Sequence, residues 1–208
     1  MIFKNRSEAG ELLAERLSKY RGKKAVVLAL PRGGVPVGYE IAKILKLALD
    51  IIPIRKIGHP LSPEFAIGAI DEHGHTIFDE TETSRIDPAL LEAEKKREGA
   101  EAKRRAILYR RGRPPLPLTG KIAILVDDGI ATGLTMKLAV MAARKKDAKS
   151  IIIAVPVSPR EAVTELEDMG ADVVTLEPPE DFLGAVGEHY IEFDQVTDTA
   201  VISLLNAS

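Results

Sequence analysis

The sequence of 208 residues contains no cysteine and no tryptophan, and aromatic side chains make up only 4% of it. Without cysteine these residues can form no disulfide, no thiolate nucleophile and no cysteine-ligated zinc site. The shortage of aromatic side chains leaves few groups that could stack on a ring-shaped ligand. Because the formal net charge is only −2, no overall basic field attracts the chain to nucleic acid or to a membrane surface.

Long apolar runs are also missing from the sequence. The opening residues MIFKNR lack the apolar core of a signal peptide. No segment reaches the roughly 20 apolar residues that a membrane-spanning helix needs. The length fits one domain, which we place over residues 1–208. We therefore expect a cytoplasmic protein without a membrane partner.

The most informative segment is ILVDDGIATGLT, residues 124–135. An apolar strand leads into two carboxylates, Asp127 and Asp128, and a turn of small residues then opens a helix. Backbone N–H groups at a helix N-terminus lack partners and attract anions, and bare glycine backbone lets an anion approach closely. A phosphate site beside carboxylates that can hold a diol suits a ribose 5-phosphate, whereas a capped turn without a ligand is the alternative. The predicted phosphate-binding residues are Gly129, Ile130, Ala131, Thr132, Gly133 and Thr135.

A second glycine-containing loop, LPRGGV, follows the first predicted strand. The paired glycines Gly33 and Gly34 present bare backbone N–H groups, and Arg32 adds a cation with a fixed, bidentate shape. We predict that these three residues bind a pyrophosphate. A tight turn that needs glycine for its geometry is the alternative.

Short apolar runs alternate with helical patterns along most of the chain. Continuous apolar runs are typical of strands that are buried on both faces of a parallel sheet. The alternation predicts a parallel α/β fold with right-handed crossovers, in which ligands bind at the carboxyl ends of the strands. Strands are expected at residues 25–30, 51–54, 121–126, 151–156 and 172–176, and helices at residues 7–20, 37–47, 135–146 and 159–169.

Three segments depart from this alternation. Residues 58–64 have the composition of an exposed loop, and residues 66–78 predict an antiparallel hairpin. A long charged helix should begin with Asp87 as N-cap and Pro88 as its first residue, and should extend to about Arg110. The resulting division is a core at about residues 21–176, a helical insertion at about residues 86–113 and a C-terminal hood at about residues 177–208.

The two loops and their spacing resemble those of the type I phosphoribosyltransferases, from about Ala25 to Pro156. The whole chain is similar to a subgroup known only as predicted phosphoribosyltransferases, which shares the strings LPRGGVPV and PEFAIGA. The resemblance implies a parallel sheet flanked by helices with a small hood. It also implies a cytoplasmic, homodimeric transferase of nucleotide metabolism. Such an enzyme would use magnesium and phosphoribosyl pyrophosphate (PRPP) to move ribose 5-phosphate to a nitrogenous acceptor and release pyrophosphate.

The resemblance also assigns roles to individual residues. Asp127 and Asp128 would act as catalytic residues that hold the ribose hydroxyls, either directly or through the Mg²⁺ that accompanies PRPP. Arg55 and Lys56, at the end of the second predicted strand, would join Arg32 in binding the pyrophosphate. A solvated strand end is the alternative for this basic pair.

The general acid or base is less determined by the sequence. The hypoxanthine/guanine branch of the family has an aspartate where this chain has Ala131, which counts against that branch. The adenine-type branch has Leu-Glu-Tyr-Gly where this chain has DEHG at residues 71–74. Glu72 is therefore a candidate catalytic residue, Glu64 competes for the same role, and a merely polar hairpin turn is equally consistent with the segment.

The sequence also leaves two interpretations open for the acceptor site and two for the type of activity. Phe182 and Tyr190 of the hood are candidates to stack on an acceptor ring, although they could equally form the core of the hood. A PRPP-sensing regulatory protein on the same fold is the alternative to an enzyme. Its nucleic-acid contact would be the basic residues of the helical insertion, but interleaved glutamates indicate a solvated helix face and disfavour that contact.

Overall fold

The computed structural model describes residues 1–208 and contains eight strands and seven α-helices. The strands are β1 (Ala25–Ala29), β2 (Ala48–Ile51), β3 (Ile54–His59), β4 (Ser62–Asp71), β5 (Thr76–Phe78), β6 (Ile122–Val126), β7 (Ser150–Val155) and β8 (Asp172–Thr175). The helices are α1 (Arg6–Arg16), α2 (Gly34–Leu45), α3 (Glu80–Thr83), α4 (Pro88–Arg110), α5 (Leu134–Lys145), α6 (Arg160–Asp168) and α7 (Asp198–Asn206). None of the helices combines the length and the apolar character that crossing a membrane requires.

Five parallel strands form the central sheet in the order β2-β1-β6-β7-β8. Alternate residues of β1 are buried in two different layers, as the two-residue period of a strand requires. Val26 and Leu28 lie in the same core cluster as side chains of α5, whereas Val27 lies with those of α1 and α2. The predicted α/β fold, with a parallel sheet between helices, is therefore confirmed.

The register of this sheet brings together the loops that carry the two sequence motifs. β1 and β6 are neighbours, with Ala29 opposite Val126 at their carboxyl ends. We call residues 31–34, which follow β1, the paired-glycine loop, and residues 129–133, which follow β6, the motif loop. Both loops emerge at the same edge of the sheet, although about 90 residues separate them in the sequence.

The predicted strand at residues 51–54 is wrong, because the structure divides it between two sheets. β2 ends at Ile51, and β3 begins at Ile54 in a separate antiparallel sheet of order β3-β4-β5. Pro53 lies at the break, where its lack of an N–H group prevents a continuous ladder. The predicted loop at residues 58–64 is also wrong, since it forms the tip of the β3–β4 hairpin, with His59 paired to Ser62. The hairpin at residues 66–78 is confirmed by the β4–β5 pairing.

The long helix α4 is confirmed as predicted. It begins at Pro88, with the Asp87 side chain accepting a hydrogen bond from the N–H group of Ala89 at 2.7 Å, and it ends at Arg110. The other core helices and strands also lie within a few residues of their predicted positions. α4 packs on β3, on β4 and on α7.

The residues expected to form one hood separate into two parts. Residues 177–197 pack beside Phe3, whose N–H group donates to the carbonyl of His189 at 2.8 Å. α7 packs instead against α2 and α4, where Val201 and Leu205 are buried beside Tyr109. The prediction of a single hood is therefore wrong for α7. Val201 and Leu205 are four residues apart and therefore lie on the same face of a helix. This spacing is the feature of the sequence that could have predicted the packing of α7.

Candidate active site

The motif loop and the start of α5 present a row of backbone donors that no protein group accepts. The N–H groups of six consecutive residues have no acceptor in the structure, and these residues are Ala131, Thr132, Gly133, Leu134, Thr135 and Met136. The positive end of the α5 dipole lies at the same place. Gly133 has a φ of 79°, which glycine adopts without the strain of a side chain. Free backbone donors at a helix N-terminus are groups to which an anion can bind.

A cleft of about 350 Å³ opens over these donors. On one side it is lined by Asp128, the motif loop and Thr135, so all six residues predicted to bind the phosphate lie together. On the other sides it is lined by Lys56, Glu64 and Ala66 of the β3–β4 hairpin and by Val186. The cleft thus combines backbone donors, one carboxylate of the motif and one ammonium group.

The two adjacent aspartates have different surroundings. Oδ1 of Asp127 accepts a hydrogen bond from the N–H group of Asp128 at 2.9 Å, so this carboxyl turns toward the backbone. Burial, and next the charge of Asp128, raise the pKa of the Asp127 carboxyl well above its ordinary value. Asp128 lines the cleft, and among its carboxylate oxygens only Oδ2 accepts a hydrogen bond from an N–H group of the protein. Asp128 is therefore the carboxylate with an oxygen available to a ligand.

The paired-glycine loop lies directly against these aspartates. A Cβ atom at Gly33 would overlap the Asp128 carboxylate, and one at Gly34 would lie 2.6 Å from the carbonyl oxygen of Val126. Both positions therefore need glycine because the loop crosses the end of β6 in close contact. The N–H group of Gly34 donates to the Leu30 carbonyl at 3.0 Å, whereas those of Arg32 and Gly33 have no acceptor. Gly34 thus serves packing, and Arg32 and Gly33 supply the free donors.

Long-range contacts hold the paired-glycine loop from behind. Arg105 of α4 donates through Nη1 to the carbonyl of Pro31 at 3.2 Å. Nη1 of Arg32 lies 3.5 Å from Oδ1 of Asp198 on α7. The hydroxyl of Tyr109 donates to the same carboxylate at 2.5 Å, and this bond and the charge of Arg104 lower the pKa of Asp198. α4, whose role the sequence left unexplained, therefore fixes the shape of a loop at the site.

Comparison with known proteins now decides the family. The sequence model of the phosphoribosyl transferase domain matches residues 2–192. The chain belongs to this family. Two Mycobacterium tuberculosis relatives, from strains CDC 1551 and H37Rv and provisionally named phosphoribosyl transferases, are 44% identical over 99% of this chain. The chain spans 46% of the length of these relatives, which is about half.

Solved structures agree with this assignment at the level of the fold. The crystal structure of TT1426 from Thermus thermophilus is 41% identical and superposes with a TM-score of 0.79, covering 99% of this chain and 98% of that one. AQ2163 from Aquifex aeolicus is 12% identical, with a TM-score of 0.52 over 82% of this chain and 73% of that one, and shares the fold alone. The predicted phosphoribosyltransferase family is therefore confirmed.

Within this phosphoribosyl transferase domain, only one residue of the predicted basic pair lines the cleft. Lys56 does so, and its Nζ atom lies 3.0 Å from Oε2 of Glu64. Arg55 points to the opposite face of β3, as alternate residues of a strand do, and its Nε atom donates to the buried Glu98 at 2.8 Å. The prediction for Arg55 is corrected, because this cation is engaged with α4.

Glu72 is likewise outside the cleft. Nη1 of Arg110 donates to both oxygens of its carboxylate at 2.8 Å, and Nη2 of Arg110 donates to the carbonyl of Ile51 at 3.0 Å. The carboxylate therefore serves as a counter-ion between the β4–β5 turn and the end of α4. This placement corrects the candidate role of Glu72 as a catalytic group, whereas the competing candidate, Glu64, does line the cleft.

The two aromatic candidates for acceptor binding are occupied by the packing of residues 177–197. The hydroxyl of Tyr190 donates to the Asp128 carbonyl at 2.7 Å, and its buried ring stacks on Phe193 with centroids 5.0 Å apart. Burial raises the pKa of this hydroxyl far above its ordinary value. Phe182 stacks on His189 at 5.5 Å, and neither Phe182 nor Tyr190 lines the cleft. The alternative interpretation, in which these rings form a local core, matches the structure.

Sequence reasoning missed Arg6, whose Nε atom donates to Oδ2 of Asp128 at 2.8 Å. Arg6 is the first residue of α1, directly after the Asn5 cap. A cation at this place is opposed by the positive end of the helix dipole. An arginine at a capped helix start is therefore a sequence feature from which an ion pair with a distant carboxylate could have been predicted.

The residues present fit a magnesium ion that arrives with its substrate. No group of three or more histidine, aspartate, glutamate or cysteine side chains is arranged as a metal site. Magnesium in phosphate-transferring proteins is commonly bound by one or two carboxylates together with substrate oxygens. The free Oδ1 atom of Asp128, at the rim of the donor-lined cleft, is a ligand of that kind.

Proposed function

We propose that the protein is a magnesium-dependent phosphoribosyltransferase that moves ribose 5-phosphate from PRPP to a nitrogenous acceptor and releases pyrophosphate. The observation that carries the proposal is the row of unpaired N–H groups at residues 131–136 beside the free oxygen of Asp128. In this proposal the backbone donors bind the 5-phosphate and the carboxylate binds the ribose hydroxyls, so the site accommodates both ends of one ribose phosphate.

In this proposal the paired-glycine loop binds the pyrophosphate. The free N–H groups of Arg32 and Gly33 point to this role, because the loop touches the Asp128 carboxylate and so adjoins the ribose site. Lys56, on the facing hairpin, adds a positive charge in the cleft. Asp128, with Asp127 nearby, would hold a magnesium ion, which would supply positive charge to stabilise the pyrophosphate as it leaves.

The chemistry proposed for these residues is electrostatic rather than nucleophilic. As the bond from ribose C1 to pyrophosphate breaks, positive charge develops on the ring and negative charge on the leaving group. Asp128 faces the first charge, while Lys56 and the donors of the paired-glycine loop face the second. The hairpin that carries Lys56 and Glu64 lines one side of the cleft and would limit the entry of water from that side. A homodimeric assembly and a cytoplasmic location stay predictions from the sequence.

No specific observation favours the regulatory alternative. Its basis was the basic character of α4, but many of these cations are paired on the helix itself or with neighbouring elements. Arg97 pairs with Glu94 and Glu98, and Arg104 and Arg105 both pair with Glu101. A helix face neutralised in this way offers little net charge to a nucleic-acid backbone.

Pyrophosphate release from PRPP tests the proposal. The purified protein would be incubated with PRPP and Mg²⁺ against a pool of purines, pyrimidines and other nitrogen heterocycles, with a reaction lacking acceptor as control. We expect release that requires Mg²⁺ and one acceptor, and that falls by roughly 100-fold or more in Asp128→Asn, since groups aimed at developing charge have effects of this size. Wild-type rates in Asp128→Asn, or no release together with no binding of PRPP, would contradict it.

A further inference from the structure

The contacts of Arg6 single it out among the cations near the cleft. Its Nε atom donates to Oδ2 of Asp128 and its Nη1 atom to the carbonyl of Asp194, both at 2.8 Å. Its guanidinium carbon lies 3.9 Å from the centre of the Phe193 ring. Only 12% of the side chain is exposed. Hydrogen bonds and a stacked ring thus hold the guanidinium in one orientation before any ligand arrives.

The same cluster also grips the backbone of Asp128. Phe193 stacks on Tyr190, and the Tyr190 hydroxyl donates to the Asp128 carbonyl at 2.7 Å. The carboxylate and the carbonyl of Asp128 are therefore both bound by one connected group of side chains, formed by Arg6, Phe193 and Tyr190. None of these three side chains lines the cleft, so their influence on a ligand must pass through Asp128.

We propose that Arg6 is a positioning residue for the ribose-binding carboxylate, a role that rests on the function proposed above. Arg6 binds Oδ2 of Asp128 and leaves Oδ1 without a protein N–H donor, so Oδ1 would be the oxygen that binds the ribose hydroxyls of PRPP or their metal ion. The guanidinium also places a positive charge beside the adjacent carboxyl groups of Asp127 and Asp128. Fixing the carboxylate in advance removes an ordering cost from binding.

Calorimetric titration with PRPP in the presence of Mg²⁺ measures this role without a known acceptor. Arg6→Gln should weaken binding about tenfold, which is the effect expected for one charge-assisted hydrogen bond. Arg6→Lys keeps the charge and one donor, so its affinity for PRPP should lie between those of the wild type and Arg6→Gln. Arg16→Gln removes the same charge from the exposed end of α1, where Arg16 has no ion pair, and should bind as the wild type does.

A double-mutant cycle separates positioning from a general structural effect. If Arg6 acts through Asp128, Arg6→Gln should cause no further loss of PRPP affinity in an Asp128→Asn background. The same tenfold loss in that background would overturn the proposal, as would unchanged affinity in the single variant. Should Arg6→Gln fail to fold, Arg6→Lys carries the same cycle. Absence of binding by the wild type would instead overturn the proposed function, and the role of Arg6 with it.

Discussion

The motif loop and the paired-glycine loop lie side by side but are held in place in different ways. In the motif loop and the start of α5, the free N–H groups belong to the consecutive residues 131–136, and the N–H group of the preceding Ile130 donates to the Val157 carbonyl at 2.9 Å. The paired-glycine loop depends on distant residues, because Arg105 holds the Pro31 carbonyl and the Asp128 carboxylate lies against Gly33. The free donors of the motif loop thus come from a run of consecutive residues, whereas the paired-glycine loop is held from behind by distant side chains.

This difference has a consequence that experiments can reach. Variants of the distant residues that support the paired-glycine loop, such as Arg105, should disturb that loop and leave the motif loop unchanged. Ribose 5-phosphate and pyrophosphate, used as separate probes, would report on the two loops one at a time.

Gly33→Ala should have the largest effect. The added methyl group would overlap the Asp128 carboxylate, so either the loop or the carboxylate must move. Overpacking of this kind costs roughly 1–3 kcal/mol, which corresponds to a loss of up to about 100-fold in affinity for PRPP with Mg²⁺. Calorimetry would measure the loss, with Gly99→Ala on α4 as control, since a Cβ atom there would meet only the end of the flexible Ile70 side chain. Equal affinity in both variants would show that the contact does not matter for binding.

Arg105→Met should come next, because it removes the support of the paired-glycine loop from behind. The buried Pro31 carbonyl would lose its donor, at a cost of roughly 1–3 kcal/mol. We expect pyrophosphate to bind about tenfold more weakly and ribose 5-phosphate to bind unchanged. Lys103→Met, an exposed position on α4 without an ion pair, is the matched control. An equal loss for both ligands would contradict the separation of the two loops.

Thr132→Ala should have the smallest effect and the opposite selectivity. The variant removes one hydroxyl donor from the motif loop but leaves the unpaired backbone N–H groups in place. A single neutral hydrogen bond is worth roughly 0.5–1.5 kcal/mol, so ribose 5-phosphate should bind about threefold more weakly and pyrophosphate equally well. A loss beyond about 100-fold would mean that the side chain, rather than the backbone, holds the phosphate.

The same contrast explains which parts of the site the sequence could predict. The core strands, α4 and the residues of the motif loop follow from local patterns, and the structure places all six predicted phosphate-binding residues in one cleft. Strand alternation could also have separated Lys56 from Arg55, since adjacent strand residues face opposite ways. The sequence shows Pro53, which interrupts the strand, but only tertiary packing places the strands on either side of it in two different sheets.

The remaining features depend on contacts between residues far apart in the chain. Glu72 pairs with Arg110 and Asp128 with Arg6, and no local pattern links the members of either pair. From the sequence, the ring of Tyr190 could equally stack on an acceptor or belong to the core of the hood, and the structure packs Phe193 and Phe3 against it. The composition shows that aromatic residues are rare, whereas tertiary packing decides which aromatic side chains remain available to a ligand.

The most direct test of the central claim is a calorimetric titration of the wild-type protein with PRPP and Mg²⁺, beside titrations with ribose 5-phosphate and with pyrophosphate. If the two loops bind the two ends of one molecule, PRPP should bind once per chain and more tightly than either fragment. Binding of all three ligands with equal affinity would contradict a two-loop site, and absence of binding by PRPP would contradict the proposed function.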